Sequence, residues 1–423
     1  MYEKRVNAYK KSFFYGILLS EIENHLSHGG KMEFVKFGII GIGNMGSAHV
    51  RSVESLSNAK LTAVCDINPA AFNRIAPEIR ERIKCFTDSD TFFQEADVDA
   101  VLIAVPHYDH PDLAIKALKT GKHIIVEKPI AVHKAEAERL IAEGAKHPEL
   151  KQSLMFNQRT IGTHIKLKQL IDSGELGSIR RVNWVITNWF RSQAYYDSGD
   201  WRASWRGEGG GVLLNQCPHQ LDLWQWLFGM PKMVRATAKI GKYHDIEVED
   251  EVNAYMEYEN GMVGNFIAST GEMPGENRLT IIAERGRLTF ENGKIQFLKN
   301  EIETSEYIRT TTRTFGIADH WSCEIPANGD GAGQHKRVIE NVANAILKDT
   351  PLIAPMAEGI RGLELGNAML LSGLKDKPVE LPIDACEYAE MLSGLIAQSR
   401  YQKKTAVHSD NVDMSQSFGT PRS

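Results

Sequence analysis

The sequence predicts an α/β chain in two parts: a doubly wound parallel sheet, then an α+β domain on an open, largely antiparallel sheet. Three observations carry that expectation. At 423 residues the chain is long for a single core. From residue 36, short continuous apolar runs alternate with amphipathic helical patterns, as in a parallel sheet covered on both faces. After residue 179 the runs lengthen, alternate apolar with polar residues, and reverse at Asn-Gly pairs.

The elements follow in chain order. "KFGII" reads as the first strand, and "LTAVCD", "AVLIAV", "HIIVEK" and "QSLMFN" as others, with helical patterns at about 47–57, 69–80, 111–120 and 133–146. "RVNWVITNW" is a longer strand. Two hairpins turn at Asn260-Gly261 and Asn292-Gly293, flanked by alternating Val252, Ala254, Met256 and Tyr258, and by Leu288, Phe290, Ile295 and Phe297. Helical patterns at 335–348 and 357–374 complete the second part. The expected domains are therefore 35–158 and 159–406, preceded by an extension at 1–34 and followed by a loose Ser-, Asp- and Asn-rich tail at 407–423. The extension contains "KKSFFYGILLSEIE", but Glu21 interrupts its apolar run and no small-residue cleavage site follows. It reads as an amphipathic or disordered segment, with Met32 as an alternative functional start.

Composition narrows the classes of function. Hydrophobic content of 42% and charged content of 24% are those of an ordinary globular protein. A net charge of −5, without a basic block beyond the N-terminus, leaves no footprint for nucleic acid, and no membrane partner is expected. The five cysteines are scattered without CxxC spacing, so neither a disulfide framework nor a metal site is expected, and a cytoplasmic location fits.

Gly41, Gly43 and Gly46 form GxGxxG between a strand and a helix, and Asp66 ends the next strand. That context marks a Rossmann dinucleotide-binding unit. Its glycines permit a tight turn and close approach of a pyrophosphate to the helix N-terminus, and the carboxylate accepts from a ribose diol. The next two residues, Ile67 and Asn68, carry no cation, which favours NAD over NADP. Loop residues Gly41, Ile42, Gly43, Asn44 and Met45 are the expected cofactor contacts, joined by Asp66. Ligands of such sheets bind beyond the carboxyl ends of the strands. Pro106, Glu127, Lys128 and Arg159 all fall at or past strand ends on that edge. Lys128 could be a solvated rim residue, but its place on the ligand edge reads as functional.

In the second part, "GGGVLLNQCPHQLDLWQWL" places Asn215, His219 and Asp222 on one face of an expected buried helix, with Pro218 kinking it. Burying such groups costs free energy unless each finds a partner. His219 reads either as a satisfied core histidine or as a base. Asp222 reads as the imidazole's orienting group or as a structural partner of something else. Arg159, Trp201, Arg202 and Trp205 suit the lining of a sugar pocket, and equally the cover of a domain junction.

Together "GIIGIGNMGSAH", "GKHIIVEKPIA", "NQR" and "GGGVLLNQCPHQLDLWQWLFG" resemble the Gfo/Idh/MocA family (glucose–fructose oxidoreductase, inositol dehydrogenase, MocA) over about 36–382. The resemblance implies an NAD(P)-dependent oxidoreductase acting on CH–OH groups of a sugar, glycoside or cyclitol. It makes Lys128 the catalytic lysine and His219 the catalytic histidine; these two, with Asn215 and, from their own chemistry, Arg159 and Trp205, are the expected substrate contacts. It further implies a homo-oligomer, a dimer or tetramer, formed through the C-terminal sheet. One departure is plain: the family usually has an aspartate four residues before the histidine, where this chain has Asn215. Two other functions fit the same fold. One is a redox-assisted glycosidase that retains its NAD. The other is a non-catalytic sugar or nucleotide sensor, which needs neither Lys128 nor His219.

Overall fold

The computed structural model describes residues 34–198, 201–328, 333–399 and 401. The expectations for the extension up to residue 33 and for the tail at 407–423 lie outside the described residues.

The first sheet contains β1 (Val35–Ile40), β2 (Ala59–Cys65), β3 (Lys84–Phe86), β4 (Ala100–Ile103), β5 (His123–Val126) and β6 (Gln152–Leu154). All its pairings are parallel, in the order β3-β2-β1-β4-β5-β6. Every residue of β4 is buried, as a strand covered on both faces requires. The order reverses between β1 and β4, and a crevice opens there beyond the strand ends. Gly41, Asp66, Ala104 and Glu127 each directly follow a strand, so the turns carrying the motifs share one edge.

The second sheet contains β7 (Ile179–Ile186), β8 (Met233–Ile240), β9 (Glu249–Glu257), β10 (Val263–Ser269), β11 (Asn277–Ala283), β12 (Gly286–Glu291), β13 (Lys294–Asn300), β14 (His320–Ile325) and β15 (Val379–Glu380). Its order is β14-β13-β12-β11-β7-β10-β9-β8-β15, antiparallel except for β7 with β10. Both expected hairpins form. Asn292 and Gly293 take positive φ of 49° and 73°, the conformation a two-residue hairpin turn demands.

Three elements differ from the sequence expectation. The 69–80 pattern splits into short turns at Pro69–Arg74 and Pro77–Arg80, because Pro77 cannot continue a helix begun before it. The helix Gln334–Lys348, assigned by sequence to the second domain, packs Val338, Ile339, Val342 and Ala343 against Phe37, Ile39, Val50 and Val53 of the first. Amphipathic periodicity shows that a helix has an apolar face, but not which sheet receives it. Finally, the glycine-run helix is two elements: a π turn at Val212–Gln216 and an α-helix at Pro218–Phe228. Pro218 offers no N–H, and the N–H of Cys217 closes the wider ring to Val212 O at 2.8 Å. Pro218 then takes the first helical position, where a missing donor costs nothing. The bend falls between Asn215 and His219, so the two do not sit one turn apart on a straight helix.

The other face of the first sheet shares one apolar core with the second domain. That core includes Val101, Ile103 and Val126 together with Trp184, Leu213, Leu221 and Trp224. Trp184 and Trp224 stack at 6.4 Å, each at most 1% exposed. A continuous close-packed core fixes the end of β5 relative to the π turn, and that fixes the site.

Candidate active site

The glycine loop is built as its residues require. Gly41 has φ +88°, and a Cβ there would lie 2.3 Å from the Ala104 carbonyl oxygen. A Cβ at Gly46 would lie 1.8 Å from Gly41 O. Gly43 differs: it is exposed, and nothing lies within 4 Å of its Cβ position. It precedes the helix Asn44–Glu54, whose N-terminus has no side-chain cap. The first and third glycines therefore serve packing, and the middle one leaves room and uncapped N–H donors for an anionic group. Asp66 accepts from Ile42 N at 2.7 Å and from Asn68 N at 2.8 Å. It lines a cavity with Ile42, Gly43, Asn68 and Arg74. Cradle, donors and carboxylate together fit a dinucleotide.

Lys128 reaches from the end of β5 into the second domain. Its Nζ donates to the main-chain carbonyl of Asn215 at 2.9 Å, and this is its one hydrogen bond among the described residues. Two ammonium hydrogens remain for a ligand. Burial lowers its pKa, opposed by the charge of Glu127 and reinforced by Arg202 and Arg191. Glu127 is itself buried against His49, with Oε1 2.6 Å from His49 Nε2. Burial works to raise Glu127, but the hydrogen bond and charge of His49, with His335 and Lys128, hold its carboxyl at about 2. His335, from the helix Gln334–Lys348, meets the His49 ring edge-on at 5.5 Å.

His219 sits on the first turn of the helix Pro218–Phe228, with its ring 6.3 Å from that of Phe156. Its Nδ1 is buried with no partner among the described residues, which leaves Nε2 as the atom for proton exchange. Burial and the Lys128 charge push its pKa well below the ordinary value. A histidine whose cationic form lacks a partner is a weaker base than an ordinary imidazole.

Asp222 does not orient that imidazole. Its two oxygens accept from Arg159 Nη2 at 2.6 Å and Nε at 2.8 Å, and Arg159 Nη1 continues to Glu358 at 2.6 Å and to Ile353 O at 3.2 Å. Arg159, expected to line the substrate, is 2% exposed and committed to this clamp. Removing either partner of such a pair strands the other charge at about 3–5 kcal/mol. Trp205 is likewise a packing residue, 4% exposed, with its carbonyl accepting from Tyr108 at 2.7 Å. The cation and aromatic stack lies nearby instead, with Arg202 4.4 Å over Trp201 and 4.5 Å over Tyr195. His110 starts its helix and holds Pro129 O at 2.7 Å, bracing the turn after Lys128. Pro106 is exposed at its strand end, and Asn44 accepts from Arg74 at 2.9 Å.

Sequence reasoning missed His49, His335 and Glu208. A histidine three residues after the last glycine of GxGxxG, on the helix face turned to the sheet, was a signal available for the first. Among the described residues no cluster of His, Cys, Asp and Glu could hold a metal ion, and no helix is long and apolar enough to cross a membrane.

Comparison with known proteins agrees with the two-domain fold. The family model described as an oxidoreductase family with an NAD-binding Rossmann fold matches residues 35–153, and that of the GFO/IDH/MocA C-terminal domain matches 164–289. Inositol 2-dehydrogenase of Salmonella typhimurium is 34% identical over 148 residues, 34% of this chain, and the match spans 43% of that relative's length. Inositol 2-dehydrogenase of Rhizobium meliloti is 26% identical over 82% of this chain and 99% of its own. The WlbA dehydrogenase of Bordetella pertussis, solved with NADH and UDP-GlcNAcA, superposes with a TM-score of 0.69. It is 25% identical and covers 83% of this chain and 100% of its own.

Proposed function

The chain belongs to the GFO/IDH/MocA oxidoreductase family, with an NAD-binding Rossmann domain as its first part, and from that premise we propose that it oxidises a secondary hydroxyl of a sugar, glycoside or cyclitol. The observation that carries the proposal is Lys128. Its ammonium spans from the cofactor edge of β5 to the turn that bears Asn215, three residues before the helix holding His219.

The N–H groups of Gly43, Asn44 and Met45, at the uncapped helix start, would hold the pyrophosphate, with Gly41 and Ile42 shaping the turn, Asp66 holding the adenosine ribose, and Pro106 and Glu127 on the nicotinamide side. NAD, when bound, supplies the acceptor for the hydride that leaves the substrate carbon. The protein's task is the hydroxyl proton and the charge it leaves behind. Lys128 donates hydrogen bonds to the reacting oxygen, steadying it as negative charge develops. His219 takes the proton at Nε2 and passes it to solvent. Glu127, held by His49, keeps a negative charge under the lysine and opposes the desolvation that would strip its proton. NADH formation from a panel of inositols, aldoses and glycosides tests the proposal, and absence of NADH with every member overturns it.

Cofactor choice follows from Asp66. Asp66→Ala removes the diol acceptor and the charge that repels a 2′-phosphate, with Arg74 lining the same cavity. The kcat/KM ratio of NAD to NADP should fall by about tenfold or more. Steady-state preference of the wild type for NADP would end this reading of Asp66.

We further propose a dimer or tetramer joined through the face of the second sheet that carries Asn183, Tyr255 and Asn265. These are adjacent in register, and Tyr255 is 37% exposed. Light scattering should give a mass of two or four chains, and Tyr255→Arg should lower it. A wild-type monomer at micromolar concentration would sink the idea.

A further inference from the structure

Glu208 directly precedes the glycine run and is 1% exposed. One of its carboxylate oxygens accepts from Ala203 N at 2.8 Å, and the other faces the side-chain amide of Asn215. A carboxylate offers acceptors, so the amide atom that meets it has to be Nδ2. Asn215 Oδ1 then points the other way. Among the described residues it accepts no hydrogen bond, and it is not sealed from solvent. The main-chain carbonyl of the same residue holds the Lys128 ammonium at 2.9 Å. An unpaired acceptor and an ammonium with two spare hydrogens thus stand side by side.

We propose that Glu208 is a positioning residue, which turns the Asn215 carboxamide so that its oxygen meets the substrate beside Lys128. The pair reads adjacent hydroxyls: Lys128 donates to the oxygen that loses its proton, and Asn215 accepts from a neighbouring hydroxyl that keeps its own. Substrates with a vicinal diol are selected over those methylated or deoxygenated next to the oxidised carbon. The substrate part rests on the dehydrogenase reading, whereas the amide orientation rests on the geometry alone.

The test reverses the polarity of the pair. Asn215→Asp sets two carboxylates against each other and should lower Tm by on the order of 5 °C and kcat/KM for myo-inositol, or for the best substrate of the panel, by about tenfold or more. Glu208→Gln frees the Asn215 amide to turn over and should cost several-fold in kcat/KM. In the double variant the amide at 208 donates to the carboxylate at 215, which again offers an acceptor to the substrate. Both Tm and kcat/KM should then return most of the way to wild type. Additive losses in Tm would mean that the two side chains are not paired, and would overturn the proposal. Coupled melting with additive losses in kcat/KM would reduce the pair to a structural brace, and would overturn it equally. If the wild type forms no NADH from any substrate, the dehydrogenase reading fails, while coupled melting still supports the orientation.

Discussion

Lys128→Met should abolish turnover while NAD binding survives within several-fold. On the proposed mechanism the ammonium acts on the substrate oxygen, whereas the pyrophosphate would be held at the open Gly43 position and the uncapped start of the helix Asn44–Glu54. The two functions are separable because they sit on different strand ends. Methionine keeps the apolar stem of the lysine and loses its donors, so the packing at the end of β5 should persist. What goes is the hydrogen bond to Asn215 O and the pair of N–H groups left for substrate. Removing one preorganised donor to a developing negative oxygen costs on the order of 10²–10³ in kcat. Steady-state kinetics beside an NAD titration by tryptophan fluorescence separates the two quantities. Near-normal turnover would remove Lys128 from the mechanism, and loss of NAD binding in step with turnover would move it to the cofactor site.

The parts of this site legible in the sequence are those encoded locally. GxGxxG, Asp66 and the residues after β5 belong to single strand-turn-helix units, and chain order alone brings them to one edge. Lys128 and His219 stand out in the sequence through the blocks that carry the family resemblance, and their catalytic role is proposed. Pairings between distant segments were not. Asp222 sits on a helix and Arg159 follows β6, and nothing local in either announces that they are bound to each other. Trp205 and Arg159 have the chemistry of sugar contacts, but that chemistry serves equally well inside a core, and both side chains are buried. The helix Gln334–Lys348 returns to the first sheet and brings His335 against His49, a contact between segments about two thirds of the chain apart. The Asn215 departure looked like the loss of a carboxylate. The fold supplies one from Glu208, which lies ahead of the glycine run and outside the helical segment in which a partner would be sought.

His219→Ala should lose both the rate and the acid limb of the pH–rate profile. With His219 as the proposed base, oxidation needs the neutral imidazole, so the wild-type rate should fall as pH drops through the His219 pKa. Burial and the Lys128 charge place that value well below the ordinary one, and the buried, unpartnered Nδ1 gives the cation no compensating bond. The acid limb should therefore lie below about pH 6.5, the unperturbed value, with the rate flat through it. Stability has a matching sign. As pH falls below about 6.5 the unfolded chain binds the proton first, so His219 lowers stability on the acid side until its own folded-state pKa is passed. Alanine removes that dependence, and the variant should melt with a shallower acid slope than the wild type. Loss of a positioned base costs on the order of 10²–10⁴ in rate. The ring contact surrendered to Phe156 is an edge contact at 6.3 Å, so the variant should still fold. A lost acid limb together with a shallower melting slope assigns the proton to this residue. An acid limb that persists unchanged in the alanine variant would place the titrating group elsewhere and make His219 part of the packing.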